Sequence, residues 1–80
     1  MMNLSKEKIV IIGGAGHVGI PLGLALASKG FDVTLLDKNQ TSTDMINRGE
    51  LPFVETGGER ILRDHIGKNL RAVNDSRYIK

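Results

Sequence analysis

The stretch Ile9 to Gly23, IVIIGGAGHVGIPLG, restricts what this chain can fold into more than any other. β-Branched residues run directly into glycines at positions 13, 14, 16 and 19, and small and aliphatic residues follow. Each glycine costs backbone entropy on folding, so a cluster of them needs a compensating reason. Lys8 to Ile12 predicts a strand. It is a continuous apolar run without alternation, of the kind buried on both faces of a parallel sheet. Residues 13–19 predict a tight turn. Residues 17–29 predict a helix in which Leu22, Gly23, Ala25, Leu26 and Ala27 can face a sheet. Pro21 fits only near that helix's start, where amide N–H groups lack intrahelical partners.

The rest of the chain continues the alternation. FDVTLLD, Phe31 to Asp37, predicts a second strand after the helix stop at Gly30. NQTSTDMINRG supplies capping residues and a short helix closed by Gly49. A loop, ELPFVETGG, precedes another short helix over 59–66 with Gly67 as its stop, and 70–74 predicts a weak third strand. DSRYIK then opens a turn or helix. The order βαβααβ implies an α/β fold with a parallel sheet of about three strands, a partial Rossmann fold of the doubly wound kind. Residues 1–7 read as a flexible polar leader and 8–80 as one truncated amino-terminal domain.

Gly14-x-Gly16-x-x-Gly19 is a complete G-x-G-x-x-G between a strand and a helix. In the dinucleotide fingerprint the first glycine permits the tight turn, the second admits a pyrophosphate to the backbone, and the third lets helix and strand pack closely. The helix start offers free N–H groups and a positive dipole end to the phosphates. The entropy cost of the glycines is thereby offset by a phosphate site, which makes NAD the expected cofactor. Asp37 ends the second strand at about the spacing of the ribose-binding acid. Its charge opposes a 2′-phosphate and favours NAD over NADP. Lys38 beside it either tolerates such a phosphate or is simply solvated. His17 and Val18, between the second and third glycines, either line the pyrophosphate or serve as spacers with side chains turned outward. The expected cofactor-binding set is Gly14, Gly16, His17, Val18, Gly19, Asp37 and Lys38.

Composition removes other classes. The formal net charge is +2 and the basic residues are scattered, so the clustered charge that nucleic acid or anionic lipid needs is missing. There is no cysteine, hence no disulfide, no thiolate zinc site and no Cys nucleophile. No apolar run reaches membrane-spanning length and no secretory signal is read, which points to the cytoplasm. Glu55, Glu59 and Asp64 could suggest carboxylate or metal chemistry, but they read as a loop and the solvated face of a helix, and no metal is expected. His65 falls near a helix end, where the dipole or plain exposure accounts for it.

KIVIIGGAGHVGIPLGLALASKGFDVTLLD followed by INRGELPFVETGGERIL resembles the amino-terminal part of the UDP-glucose/GDP-mannose dehydrogenase family, nearest to its UDP-N-acetylmannosamine-type members. The most discriminating block is INxGxxPFxExG, carried by Ile46, Asn47, Gly49, Pro52, Phe53, Glu55 and Gly57. The chain departs from the family pattern at Glu55-Thr56-Gly57-Gly58, where many members have Glu-Pro-Gly-Leu, and NQTST lacks the basic residue that some carry after the strand-end acid. The resemblance implies an NAD-dependent, two-step oxidation of a UDP-sugar C6 alcohol to the carboxylate through a cysteine-linked intermediate. The family's catalytic cysteine, its lysine and its substrate domain come later than Lys80. This chain is therefore expected to be a fragment carrying cofactor-binding but no catalytic residues, inactive alone.

Two other readings fit parts of the pattern. Gly13, Gly16 and Gly19 also match the G-x-x-G-x-x-G of extended short-chain dehydrogenase/epimerases. The nucleotide-sensing domains of potassium-transport systems share the glycine run and LLDK. In the usual sheet order the first strand lies between the second and a later one, so truncation before that later strand leaves Lys8–Ile12 as an open sheet edge. It predicts a homo-oligomer formed through that strand or the exposed sheet face.

Overall fold

The computed structural model describes residues 7–53 and 57–74. In chain order the elements are β1 (Lys8–Ile12), α1 (Gly19–Ser28), β2 (Asp32–Asp37), α2 (Gln40–Asn47), α3 (Gly58–His65) and β3 (Leu70–Asn74). The predicted leader, apart from Glu7, and the segment DSRYIK lie outside the described residues. All three strands are parallel, in the order β1-β2-β3, with Ile9 beside Val33 and Val33 beside Leu70. This is the expected α/β arrangement of a Rossmann-like fragment, and it puts β1 on an edge.

In-register neighbours share a face of a sheet. Ile11, Val33, Leu35, Leu70 and Ala72 therefore point the same way, and they pack with Ile20, Leu24 and Ala27 of α1, Ile46 of α2 and Leu62 of α3 in one apolar cluster. Ile20, Val33, Leu35, Ile46, Leu62 and Leu70 are fully buried. Each such side chain is worth about 1.5–3 kcal/mol of burial.

Two sequence expectations need correcting here. Among the described residues β1 is covered on one face only: Val10 and Ile12 are 59% and 71% exposed. The helices lie against the Ile11 face, so the alternate residues of β1 look outward, and a continuous apolar run does not reveal how many layers surround it. The buried stripe of α1 is Ile20, Gly23, Leu24 and Ala27, whereas Leu22 and Ala25 are exposed. The helix begins at Gly19 rather than at His17, and the i, i+3, i+4 spacing then selects Ile20 as the first residue against the sheet. Pro21 does sit in the first turn, as its missing N–H requires.

The two sheet edges are finished differently. On β3 the carboxamide of Asn47 takes the place of a neighbouring strand: its Nδ2 donates to Ala72 O at 2.7 Å and its Oδ1 accepts from Ala72 N–H at 3.0 Å. Gly67 N–H bonds Leu70 O at 2.9 Å. On β1, Glu7 and Gly13 bond inward to β2. Strand parity therefore turns the backbone groups of Lys8, Val10 and Ile12 outward, with no partner among the described residues. Asn69 fastens the opposite end of the sheet from the glycine turn. Its Nδ2 donates to Ala27 O and Phe31 O, both at 2.9 Å, and its Oδ1 meets His65 Nδ1 at 2.9 Å. With the carboxamide nitrogen committed to two carbonyls, its oxygen can only accept, so His65 Nδ1 carries the hydrogen.

Candidate functional site

The C-terminal ends of β1 and β2 converge where the chain turns into α1. Gly13 and Gly14 both donate to Leu36 O, at 2.7 and 3.1 Å, which clips the turn to the end of β2. Asp37 adds a second clip. Its Oδ2 accepts from Ala15 N–H at 2.9 Å and its Oδ1 from Asn39 N–H at 2.9 Å. Asp37 thus stands at the glycine turn, where its spacing in the sequence puts it, and it also orders that turn. A carboxylate oxygen has more than one lone-pair direction, so each retains capacity for a hydroxyl donor.

The glycines divide their tasks differently from the fingerprint's assignment. The left-handed conformation belongs to Gly13, at φ +75°, outside the G-x-G-x-x-G proper. Gly14, expected to permit the turn, instead removes a clash: a Cβ there would lie 2.7 Å from Leu35 Cβ and 2.8 Å from Leu35 Cα. At Gly19 a Cβ would lie 2.6 Å from Gly14 Cα and 2.7 Å from Gly13 O, so this glycine lets α1 start on top of the turn, as expected of the third. Gly16 is different. Its φ is not positive, and the one heavy atom near a Cβ would be Gly13 O at 3.5 Å. Nothing in the described fold requires glycine there, whereas an approaching ligand would.

The N–H groups of His17, Val18 and Gly19 donate to no protein acceptor among the described residues. They form a cradle of three open backbone donors at the start of α1, beside the bare backbone of Gly16, whose own N–H bonds Gly13 O at 3.3 Å; free amides at a helix start suit an anion. The Val18 side chain is 80% exposed and adds no cap. Lys38 is exposed, and its carbonyl accepts from Asn74 Nδ2 at 3.1 Å. His17 is exposed too, but its ring is not loose. It stacks on Phe53 with centroids 4.2 Å apart and an interplanar angle of 16°. That contact joins the glycine turn to the loop before α3. In the sequence Phe53 stands out only within the block Ile46 to Gly57, as the single aromatic residue of the loop ELPFVETGG. Of the carboxylates weighed as a second centre, Glu59 pairs with Arg63 at 3.7 Å, Asp64 is exposed, and Glu55 lies outside the described residues. Among the described residues no helix is long and apolar enough to cross a membrane.

The family described as UDP-glucose/GDP-mannose dehydrogenase, NAD binding domain, matches residues 7–79. An uncharacterized protein of Methanocaldococcus jannaschii is 39% identical over 67 residues, 84% of this chain and 8% of that protein. GDP-mannose 6-dehydrogenase of Pseudomonas savastanoi pv. phaseolicola is 37% identical over 67 residues, 82% of this chain and 15% of the enzyme. Among solved structures, a ternary complex of GDP-mannose dehydrogenase from Pseudomonas aeruginosa superposes with a TM-score of 0.76 at 34% identity, covering 84% of this chain and 15% of that one. The chain therefore spans a small part of the length of the relatives it matches.

Proposed function

Because this chain belongs to the UDP-glucose/GDP-mannose dehydrogenase family, and to its NAD-binding domain, we propose that it holds the adenosine diphosphate half of NAD in the turn between β1 and α1. Gly14, Gly16 and Gly19 shape the cradle, the N–H groups of His17, Val18 and Gly19 meet the phosphates, and Asp37 accepts from the ribose hydroxyls. Lys38 borders the ribose. NAD bound there supplies a hydride acceptor to the parent enzyme. That enzyme is a nucleotide-sugar 6-dehydrogenase, oxidising a C6 alcohol to the carboxylate in two steps. Its substrate is a UDP-sugar on the sequence resemblance, with a place in cytoplasmic polysaccharide precursor synthesis. Residues 8–80 act as one cofactor-binding unit with no turnover of their own.

The observation that carries this reading is the open space at Gly16, which no packing need explains, beside three free amides. Asp37 provides the test. Replacing Asp37 by Ala should weaken NAD about tenfold by calorimetry, the scale of losing a hydrogen bond to a charged group. NADP should lose less, because the charge opposing its 2′-phosphate goes as well. Equal losses for the two cofactors would reduce Asp37 to holding the turn through Ala15.

The open β1 edge supports a second proposal, that the 80-residue chain on its own self-associates. β1 is self-complementary in antiparallel pairing about Val10, which would set Lys8 opposite Ile12 of the copy and join the uncovered apolar faces. Sedimentation velocity should find a dimer or larger species. A monodisperse monomer at high concentration overturns it.

A further inference from the structure

Between Lys8 and Lys29 the chain has one ionisable side chain, His17. The cradle built from this stretch otherwise offers an anion only backbone dipoles. The His17 imidazole has no hydrogen-bond partner among the described residues, and its contact with the protein is the near-parallel stack on Phe53 at 4.2 Å. A parallel stack uses one face of the ring. It fixes the ring plane and leaves both nitrogens, which lie on the rim, available to a ligand. The adjacent amides of Val18 and Gly19 are also free.

We propose that the His17 imidazole is the protonatable contact for the cofactor diphosphate, that Phe53 is the residue positioning it, and that NAD binding draws a proton onto the ring. The inference rests on the NAD reading above. A diphosphate over the cradle carries negative charge on both phosphates, and a neighbouring anion favours the imidazolium. The resulting N–H···O bond is charge-assisted and about twice as strong as a neutral one. Three carboxylates on the surrounding segments have other partners. Asp37 is held by Ala15 and Asn39 N–H. Glu50 faces Arg48 at 3.6 Å and Glu59 faces Arg63 at 3.7 Å. Helix α1 carries no charge, Lys38 follows Asp37 in sequence, and Glu55 lies outside the described residues.

The test is calorimetry of the full 80-residue chain with NAD at about pH 5.5 and about pH 8.5, on either side of the ordinary histidine range. Wild type should bind about tenfold more tightly at the lower pH, the scale of one charge-assisted contact. Buffers of different ionisation enthalpy should reveal proton uptake. His17→Gln should be flat with pH and sit near the wild-type value at the higher pH. Phe53→Leu keeps an apolar side chain but loses the stack, and should lose part of the pH slope, with Phe53→Tyr restoring it. Adenosine, which lacks phosphate, should show no slope. A slope that survives in His17→Gln, or NAD binding without a slope in wild type, overturns the inference and leaves the NAD reading standing. No NAD binding at either pH overturns both. Should His17→Gln fail to fold, the wild-type His17 ring resonances still decide it: they must move to the protonated position on adding NAD at neutral pH, and resonances that stay put overturn the inference.

Discussion

Gly16→Val is expected to abolish NAD binding while leaving the chain as stable as before. A Cβ at residue 16 meets little of the described protein: it lies 3.5 Å from Gly13 O, with no other atom outside the neighbouring residues within 4 Å, and the backbone φ is not positive. The isopropyl group would instead occupy the mouth of the amide cradle, where a phosphate must come within hydrogen-bonding distance of the backbone. Calorimetry should detect no binding, and thermal unfolding should shift by no more than a few degrees. The sign of that small shift depends on the entropy removed from the unfolded chain, about 0.4–1 kcal/mol for a glycine replaced at a compatible position. Retained NAD affinity with an intact fold would move the phosphate site away from the turn.

Gly19→Ala is expected to do the reverse, although it adds fewer atoms. Its Cβ would fall 2.6 Å from Gly14 Cα, 2.7 Å from Gly13 O and 2.9 Å from Gly14 C. These are backbone atoms clipped to Leu36 O through Gly13 and Gly14 N–H, so no side chain can rotate aside. Relief requires α1 to lift from the turn, which would carry Ile20 and Leu24 out of the core. Overpacking of this kind costs about 1–3 kcal/mol and occasionally more. A chain of this length has a total stability of only about 4–12 kcal/mol. At about 4–8 °C per kcal/mol for a domain of this size, the midpoint should fall by about 4–24 °C in a calorimetric or circular-dichroism melt. An unchanged melt would mean that α1 does not start against Gly13 and Gly14 in solution. Two glycines three residues apart in one motif are thus separable, one serving the ligand and the other the fold.

The element order was legible in the sequence because its signals are local. β1 occupies Lys8–Ile12 as the β-branched run predicts, and β2 starts one residue later than predicted. Asn39 caps α2 by accepting from Ser42 N–H at 3.0 Å, and glycines at 30, 49 and 67 follow the three helices with positive φ. The meeting of Asp37 with the glycine turn was also legible, because a parallel βαβ unit brings the ends of consecutive strands together whatever the helix between them looks like.

What the sequence by itself determined is the set of elements, their parallel order and the glycine turn flanked by an acid, since each follows from backbone preferences over a few residues. Only the tertiary structure decided the rest. Whether β1 is covered on one face or two depends on where helices far along the chain come to lie. The buried stripe of α1 depends on a start at Gly19 that is set by contact with Gly13 and Gly14. The work of each glycine depends on which atom stands opposite it, Leu35 for Gly14 and open space for Gly16. Asn47 closes the β3 edge across 25 residues of sequence, and His17 finds Phe53 across the fold. Contacts between distant segments have no local signature, because neither partner's backbone preference encodes the other's position.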